Sequence, residues 1–379
     1  MSNIHDISRN AFMLKGPLAT RGYDWWWHSF TARHAVTGAE KPFFIEFFTC
    51  NPALGEETPV LGQLKENQQA GRRPSYVMVK AGTWGEDAVQ LHRFFSWSDA
   101  KVSDGVPFTV TADDCFLSET ETRGCIFVAP QEALAHPEYM CGSGSLRWDL
   151  SICKDIAFHV GYGASEPLRA SNVFEMFWHA EGMKTFYEGE LWFNGERYLV
   201  KPDNCYGYAD KNWGGDFTSP WVWLSSNHLI STVTGKELKN SVFNIGGGRP
   251  KIGPLALERK LLSQFTYEGK DYEFNFSKFW TLTSTRFDCR ELDDSVYWHV
   301  EQKTPLYRMV SDITCQKKDM LLINYESPDG ERRHERLWNG GNGTGYVSLY
   351  RRRSRGWVLI DRVKALNIGC EYGEYHKEE

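Results

Sequence analysis

The 379-residue sequence lacks most of the signatures that assign a chemistry at sight. It contains no CxxC pair, and its nine cysteines are scattered from Cys50 to Cys370. Reduced thiols are therefore expected, rather than a disulfide framework or a zinc site. Its eleven histidines form no HxH or HExxH, so no ordinary metal-ligand set is visible. The nucleophile elbow GxSxG is missing; "GSGSL" at 142–146 has its glycines in the wrong positions and no strand-to-helix turn after it. Gly-Lys-Ser/Thr is absent too, so "NIGGGRPKIG" and "NGGNGTG" read as turns and not as phosphate loops. No apolar run approaches a membrane span, and "MSNIHDISRNAFMLKGPL" lacks the uninterrupted apolar core of a secretory signal. With 43 basic and 49 acidic residues, the net charge of -6 provides no broad basic field for nucleic acid. The expectation is a soluble, cytoplasmic protein without a metal, an integral membrane segment or a nucleic-acid partner. The sequence leaves its oligomeric state open.

What the chain has in excess is aromatic side chains: 15% of residues are Phe, Trp or Tyr, and Trp alone occurs 15 times. Aromatics suit pleated, half-buried surfaces and the linings of pockets for flat or apolar ligands. Short apolar or alternating runs recur between Gly, Asn, Asp and Pro clusters, as in "KPFFIEFF", "PSYVMVKAG", "MKTFYEGELWFNGERYLV" and "GYVSLYRRRSRGWVLI". Asn194-Gly195 and Pro328-Asp329-Gly330 mark hairpin turns. The "RRRSR" run, 351–355, reads as a solvated hairpin tip. Helical candidates are few: one around Leu61 to Gln69, one around Gln131 to Ala135, and "PLALERKLLSQF", which could equally be a strand. The pattern predicts an all-β, mostly antiparallel fold. At this length two barrels or sandwiches are expected, because very large open sheets curl or split, with one large β domain as the alternative. The seam is expected in the Gly-, Ser- and Pro-interrupted stretch 160–172.

Four acids stand inside aromatic strands, where desolvation raises a carboxyl pKa and can hold a proton ready for donation. Glu46 in "FFIEFF" shares an alternation face with Phe44 and Phe48, which points either into an apolar lining or outward at a sheet edge. Asp24 alternates with Trp26 and His28, and Glu175 with Phe177 and His179. Each acid lies roughly 13 Å along the strand from its histidine, so the two meet only by facing one cavity. Asp210 shares a face with Tyr208 and Asn212, while Lys211 and Trp213 face the other way. Spacing alone allows a hydrogen-bonded proton donor or a turn-bracing Asp.

The segment "YADKNWGGDF", followed by "WVWLSSN", resembles the motif of the tocopherol cyclase-like family. "RGYDWWWHSF", "TFYEGELWFNGERYLV" and the C-terminal "GCEYGEY" match further stretches of that family in order. More distantly, the chain is similar to carotenoid 1,2-hydratases and lipocalin-like Diels-Alderases, in which an Asp-x-x-Trp-Gly stretch, here Asp210 to Gly214, opens the second barrel. The resemblance implies two lipocalin-like barrels, residues 1–168 and 169–379, the latter carrying the motif. It also implies cofactor-independent, redox-neutral chemistry: a cyclase, isomerase or hydratase acting on a hydrophobic phenolic, prenylated or polyketide-like molecule. Asp24-Trp25 stands where the cyclases have Glu-Gly, so a product other than tocopherol is expected. In that setting Asp210 is the general acid or its orienter, with Tyr208 and Asn212 as hydrogen-bond partners. Trp213 forms a wall, and Trp26, Trp223, Asp24, Glu46, Glu175 and His179 are candidates to contact the substrate. The alternatives are a lipocalin-like carrier without chemistry, and a carbohydrate-active protein, which needs two carboxyls about 5 to 10 Å apart across an open cleft.

Overall fold

The computed structural model describes residues 8–103, 105–159, 174–249, 251–252, 255–256, 260–331 and 333–374. Its strands form two large antiparallel sheets of 12 and 11 strands, with one further two-stranded ribbon. The first sheet draws on the segments from Tyr23–His34 to Gly207–Gly214, the second on those from Trp221–Ser226 to Gly356–Gly373. Each sheet curls on itself. In the first, Arg93 of the edge strand Val89–Phe95 reaches across to donate to Cys125 O at 3.2 Å. In the second, Gln302 Nε2 crosses to Leu261 O at 2.9 Å. Each barrel encloses its own apolar core, one built around Trp26, Phe30 and Trp148, the other around Phe243, Trp298 and Val347.

A third apolar cluster lies between the barrels and contains Trp25, Trp27, Trp84, Trp178, Trp221 and Trp223. Six of the 15 tryptophans therefore serve the seam where one sheet packs on the other. This explains why the strands that carry the site do not alternate. Tyr23–His34 has Asp24, Trp26 and His28 inside the first barrel and Tyr23, Trp25 and Trp27 in the seam, so its first ten residues are all buried. Gly144–Phe158, with solvent on one side, keeps the ordinary alternation over Leu146–Lys154.

The boundary between the barrels differs from the sequence expectation. Gly207–Gly214, the strand of the YADKNWG motif, pairs with Tyr23–His34 and with Met176–Phe193 and so belongs to the first sheet, as does Glu196–Val200. The changeover falls between Gly214 and Trp221, whereas residues 160–173 lie outside the described residues. A Gly- and Pro-rich stretch marks an interruption of the chain, but not which sheet the next strand joins. That choice depends on a partner strand about 180 residues away.

The two Gly-rich runs are also strands and not turns: Val242–Gly248 and part of Arg333–Arg353. Their glycines clear room for rings from the first barrel. A Cβ at Gly246 would stand 2.6 Å from Trp178, and one at Gly341 would stand 2.3 Å from Trp84. Both hairpin signals hold. Asn194 and Gly195 adopt the positive φ of a tight turn between paired strands, and Gly330 does so at φ 77. Two short α-helices are present among the described residues, Lys65–Gln69 and Pro130–Ala135, while Lys260–Tyr267 is a strand. Among the described residues no helix is long and apolar enough to cross a membrane, and no disulfide joins the nine cysteines.

Candidate functional site between the barrels

Every residue of Gly207–Gly214 is buried, because this strand is covered by the first barrel's interior on one side and by the second barrel on the other. Period-two alternation sends Tyr208, Asp210 and Asn212 to the seam and Ala209, Lys211 and Trp213 inward. In the seam, Asp210 Oδ2 accepts from Trp178 Nε1 at 2.8 Å and from the Tyr208 hydroxyl at 2.9 Å. Tyr208 in turn accepts from Trp223 Nε1 at 3.1 Å and Asn244 Nδ2 at 3.3 Å, both from the second barrel. Asn212 Oδ1 accepts from the Tyr23 hydroxyl at 2.8 Å.

The second carboxylate oxygen, Asp210 Oδ1, is buried without a hydrogen-bond partner. Burial pushes the Asp210 carboxyl up to about 8, against the opposing pull of the Trp178 and Tyr208 hydrogen bonds, with the acidic Glu371 and Glu181 adding to the rise. The group therefore carries a proton near neutral pH. Since Oδ2 is occupied as an acceptor from two donors, that proton sits on Oδ1.

The register extends the site across the sheet. Asp210 and Glu46 are the two cross-strand neighbours of Trp27; Glu46 faces Lys80, and Lys80 faces His92. These five residues share one face, and all are buried. Glu46 and Lys80, both with fully buried side chains, form an ion pair at 2.8 Å. Tyr325, from the second barrel, donates to Glu46 Oε2 at 3.3 Å and presents its ring 4.3 Å from Lys80 Nζ. Glu46 Oε1 and Trp27 Nε1 are likewise buried without hydrogen-bond partners. A third acid, Glu371, accepts from Trp221 Nε1 and Asn339 Nδ2, both at 2.5 Å, and burial raises its carboxyl to about 7. Trp25, Met176, Phe217, Thr218, Trp221, Tyr325 and Leu337 line a small crevice of about 10 Å³ in this seam.

The predicted site residues thus divide between two compartments. Asp210, Tyr208, Asn212, Glu46 and Trp223 are in the seam. Asp24, Trp26, His179 and Trp213 are on the opposite face of the same sheet, inside the first barrel, so Trp213 is no wall for Asp210. There Lys211 pairs with Asp24 and lies 3.9 Å from the Trp26 ring centroid. Burial raises Asp24 to about 6, opposed by Lys211, and it holds the imidazole of His179 well below its ordinary value. Lys154 bridges Glu119 at 3.0 Å and Glu181 at 2.9 Å in the same interior. Glu175 is half-buried just before the strand Met176–Phe193, and its carbonyl accepts from Gly215 N at 2.9 Å. Lys80, Trp27, Trp178 and Glu371 were missed. The signal for Lys80 was a lone charge on the Tyr76–Met78 face of "YVMVKAG", two strands from Trp27.

The raised Asp210 pKa has a direct consequence for stability. The native state retains a proton that the unfolded chain releases near 3.8, so this contribution is full below that value and is lost as pH rises through about 8. Asp210→Asn preserves both acceptor contacts without a charge. Its melting temperature is expected to exceed that of wild type by more at pH 9 than at pH 5. A variant that melts below wild type at pH 9 would show that the carboxylate is accommodated in the native seam.

Fold and site together define a double-barrel β protein with a proton-holding acid enclosed in an aromatic seam. The chain belongs to the tocopherol cyclase-like family, whose sequence profile matches residues 109–373. A chloroplastic tocopherol cyclase of Zea mays is 34% identical over 111 residues, which is 28% of this chain and 21% of that one. The match thus spans about a fifth of that relative's length. Among solved structures, kievitone hydratase from Nectria haematococca is 9% identical, covering 93% of this chain and 89% of its own, at a TM-score of 0.46. CghA with Sch210972 is 11% identical, covering 94% of this chain and 89% of its own, also at 0.46.

Proposed function

We propose that the protein is a cofactor-independent cyclase or hydratase that protonates an alkene of a hydrophobic, phenolic or prenylated small molecule between the two barrels. The observation that carries this reading is Asp210: a carboxyl protonated near neutral pH, with both hydrogen-bond donors on Oδ2 and Oδ1 buried without a partner. Proton transfer from Oδ1 to the alkene leaves a carbocation, which the faces of the surrounding indole and phenol rings stabilise. A hydroxyl then closes on the cation. The apolar rings of the seam favour the substrate's own hydroxyl over water, so ring closure is the preferred outcome and hydration the lesser one. With free space of only about 10 Å³, far below the ~300–1,000 Å³ usual for ligand pockets, the crevice admits a substrate only if its lining rings swing aside.

The test is incubation with prenylated hydroquinones and with phenolic and isoprenoid extracts, followed by native mass spectrometry and chromatography of the released ligand. A ligand recovered with unchanged mass but altered retention supports a cyclase, and a gain of one water supports a hydratase. A ligand bound and recovered unaltered under all conditions would make the protein a carrier.

A further inference from the structure

We propose that Glu46 is the base of this site, accepting through Oε1 the proton that the nucleophilic hydroxyl loses, while Lys80 and Tyr325 act as positioning residues that hold its other oxygen. The assignment rests on the alkene-protonation reading above and names the second half of the proton transfer.

Three observations carry it. Glu46 and Asp210 flank Trp27 on adjacent strands, so two strand spacings, roughly 10 Å, separate their backbones on one face. Trp27 stands between them, so its indole must turn aside for a reacting C–C–O unit to come within hydrogen-bond reach of about 3 Å of both carboxyls. The two oxygens of Glu46 are also inequivalent: Oε2 is held by Lys80 at 2.8 Å and by the Tyr325 hydroxyl at 3.3 Å, whereas Oε1 is buried with no partner. Of the two, Oε1 is therefore the oxygen left to accept a proton. Finally, Trp27 Nε1, between the two acids in the register, is a buried donor without an acceptor, placed to hold the oxygen that attacks.

The step balances within the substrate and the two carboxyls. Asp210 Oδ1 loses a proton to one alkene carbon; the other carbon forms a C–O bond with the hydroxyl; the hydroxyl proton passes to Glu46 Oε1. Solvent admitted on product release returns a proton to Asp210 and removes one from Glu46, and nothing is oxidised or reduced.

The test uses the full chain, a geranyl-substituted hydroquinone as probe, and D2O as solvent, reading ring closure and deuterium uptake at the alkene separately. In Glu46→Gln, ring closure is expected to fall at least about 100-fold while Asp210-dependent deuterium uptake persists. Because this change leaves Lys80 buried without its counter-charge, the double variant Glu46→Gln/Lys80→Met, which removes both charges, is measured beside it with the same expectation. Ring closure within threefold of wild type in the folded double variant would overturn the assignment. So would loss of closure and uptake together, since that is what a structural role produces. If wild type itself neither closes the ring nor exchanges deuterium, the alkene-protonation reading fails before Glu46 is reached.

Discussion

Asp210→Asn is expected to lower turnover by about 10² to 10⁴-fold, the span over which a positioned general acid contributes, while leaving the fold intact. Asparagine is nearly isosteric, and its amide oxygen can accept from Trp178 and Tyr208 as Oδ2 does. What it lacks is a proton to transfer. The wild-type rate should decline as pH rises through about 8, where the carboxyl ionises. Circular dichroism and substrate binding should be unchanged in the variant, so the loss appears in kcat and not in KM. A variant that turns over at more than a tenth of the wild-type rate would make Asp210 scaffold, and the donor would then be sought in Glu371, whose carboxyl is also raised by burial.

The second large effect concerns stability. Lys211→Met is expected to cost about 3–5 kcal/mol near pH 7, because Asp24 inside the first barrel must then either stay charged without its counter-ion or take up a proton. Both side chains of the pair are fully buried, and the remaining support for Asp24 is the Met13 amide at 2.8 Å. The loss should shrink at pH 5, because without the pull of Lys211 the buried Asp24 carboxyl rises above its wild-type value of about 6 and takes up a proton. The double variant Asp24→Asn/Lys211→Met removes both charges and should recover most of the stability. Urea unfolding at the two pH values reads all three outcomes. A single variant within 1 kcal/mol of wild type would mean that water reaches Asp24 in the native barrel.

These predictions depend on a partition that was only half visible in the sequence. The face shared by Tyr208, Asp210 and Asn212 follows from alternation within one strand, and the structure keeps it. That Asp24, Trp26 and His179 lie on the other side of the same sheet does not follow, because the periodicity of one strand does not fix which of its faces meets which face of a distant one. The register Trp27 to Asp210 and Trp27 to Glu46 decides it. The same limit hid the role of the Gly-rich strands: a glycine that admits a tryptophan from another barrel has the same local signature as one in a turn. Aromatic strands buried on both faces carry no alternation of polarity, so the excess of Trp announced enclosure without saying whether it was core, seam or pocket.

Asp210, on this account, holds a proton at neutral pH in the buried seam. This can be tested without a substrate by infrared difference spectroscopy of wild type against Asp210→Asn across a pH titration. A protonated-carboxyl band is expected in wild type at pH 7, absent from the variant and disappearing near pH 8. A band equally present in both proteins, or absent from wild type at pH 7, would contradict the account.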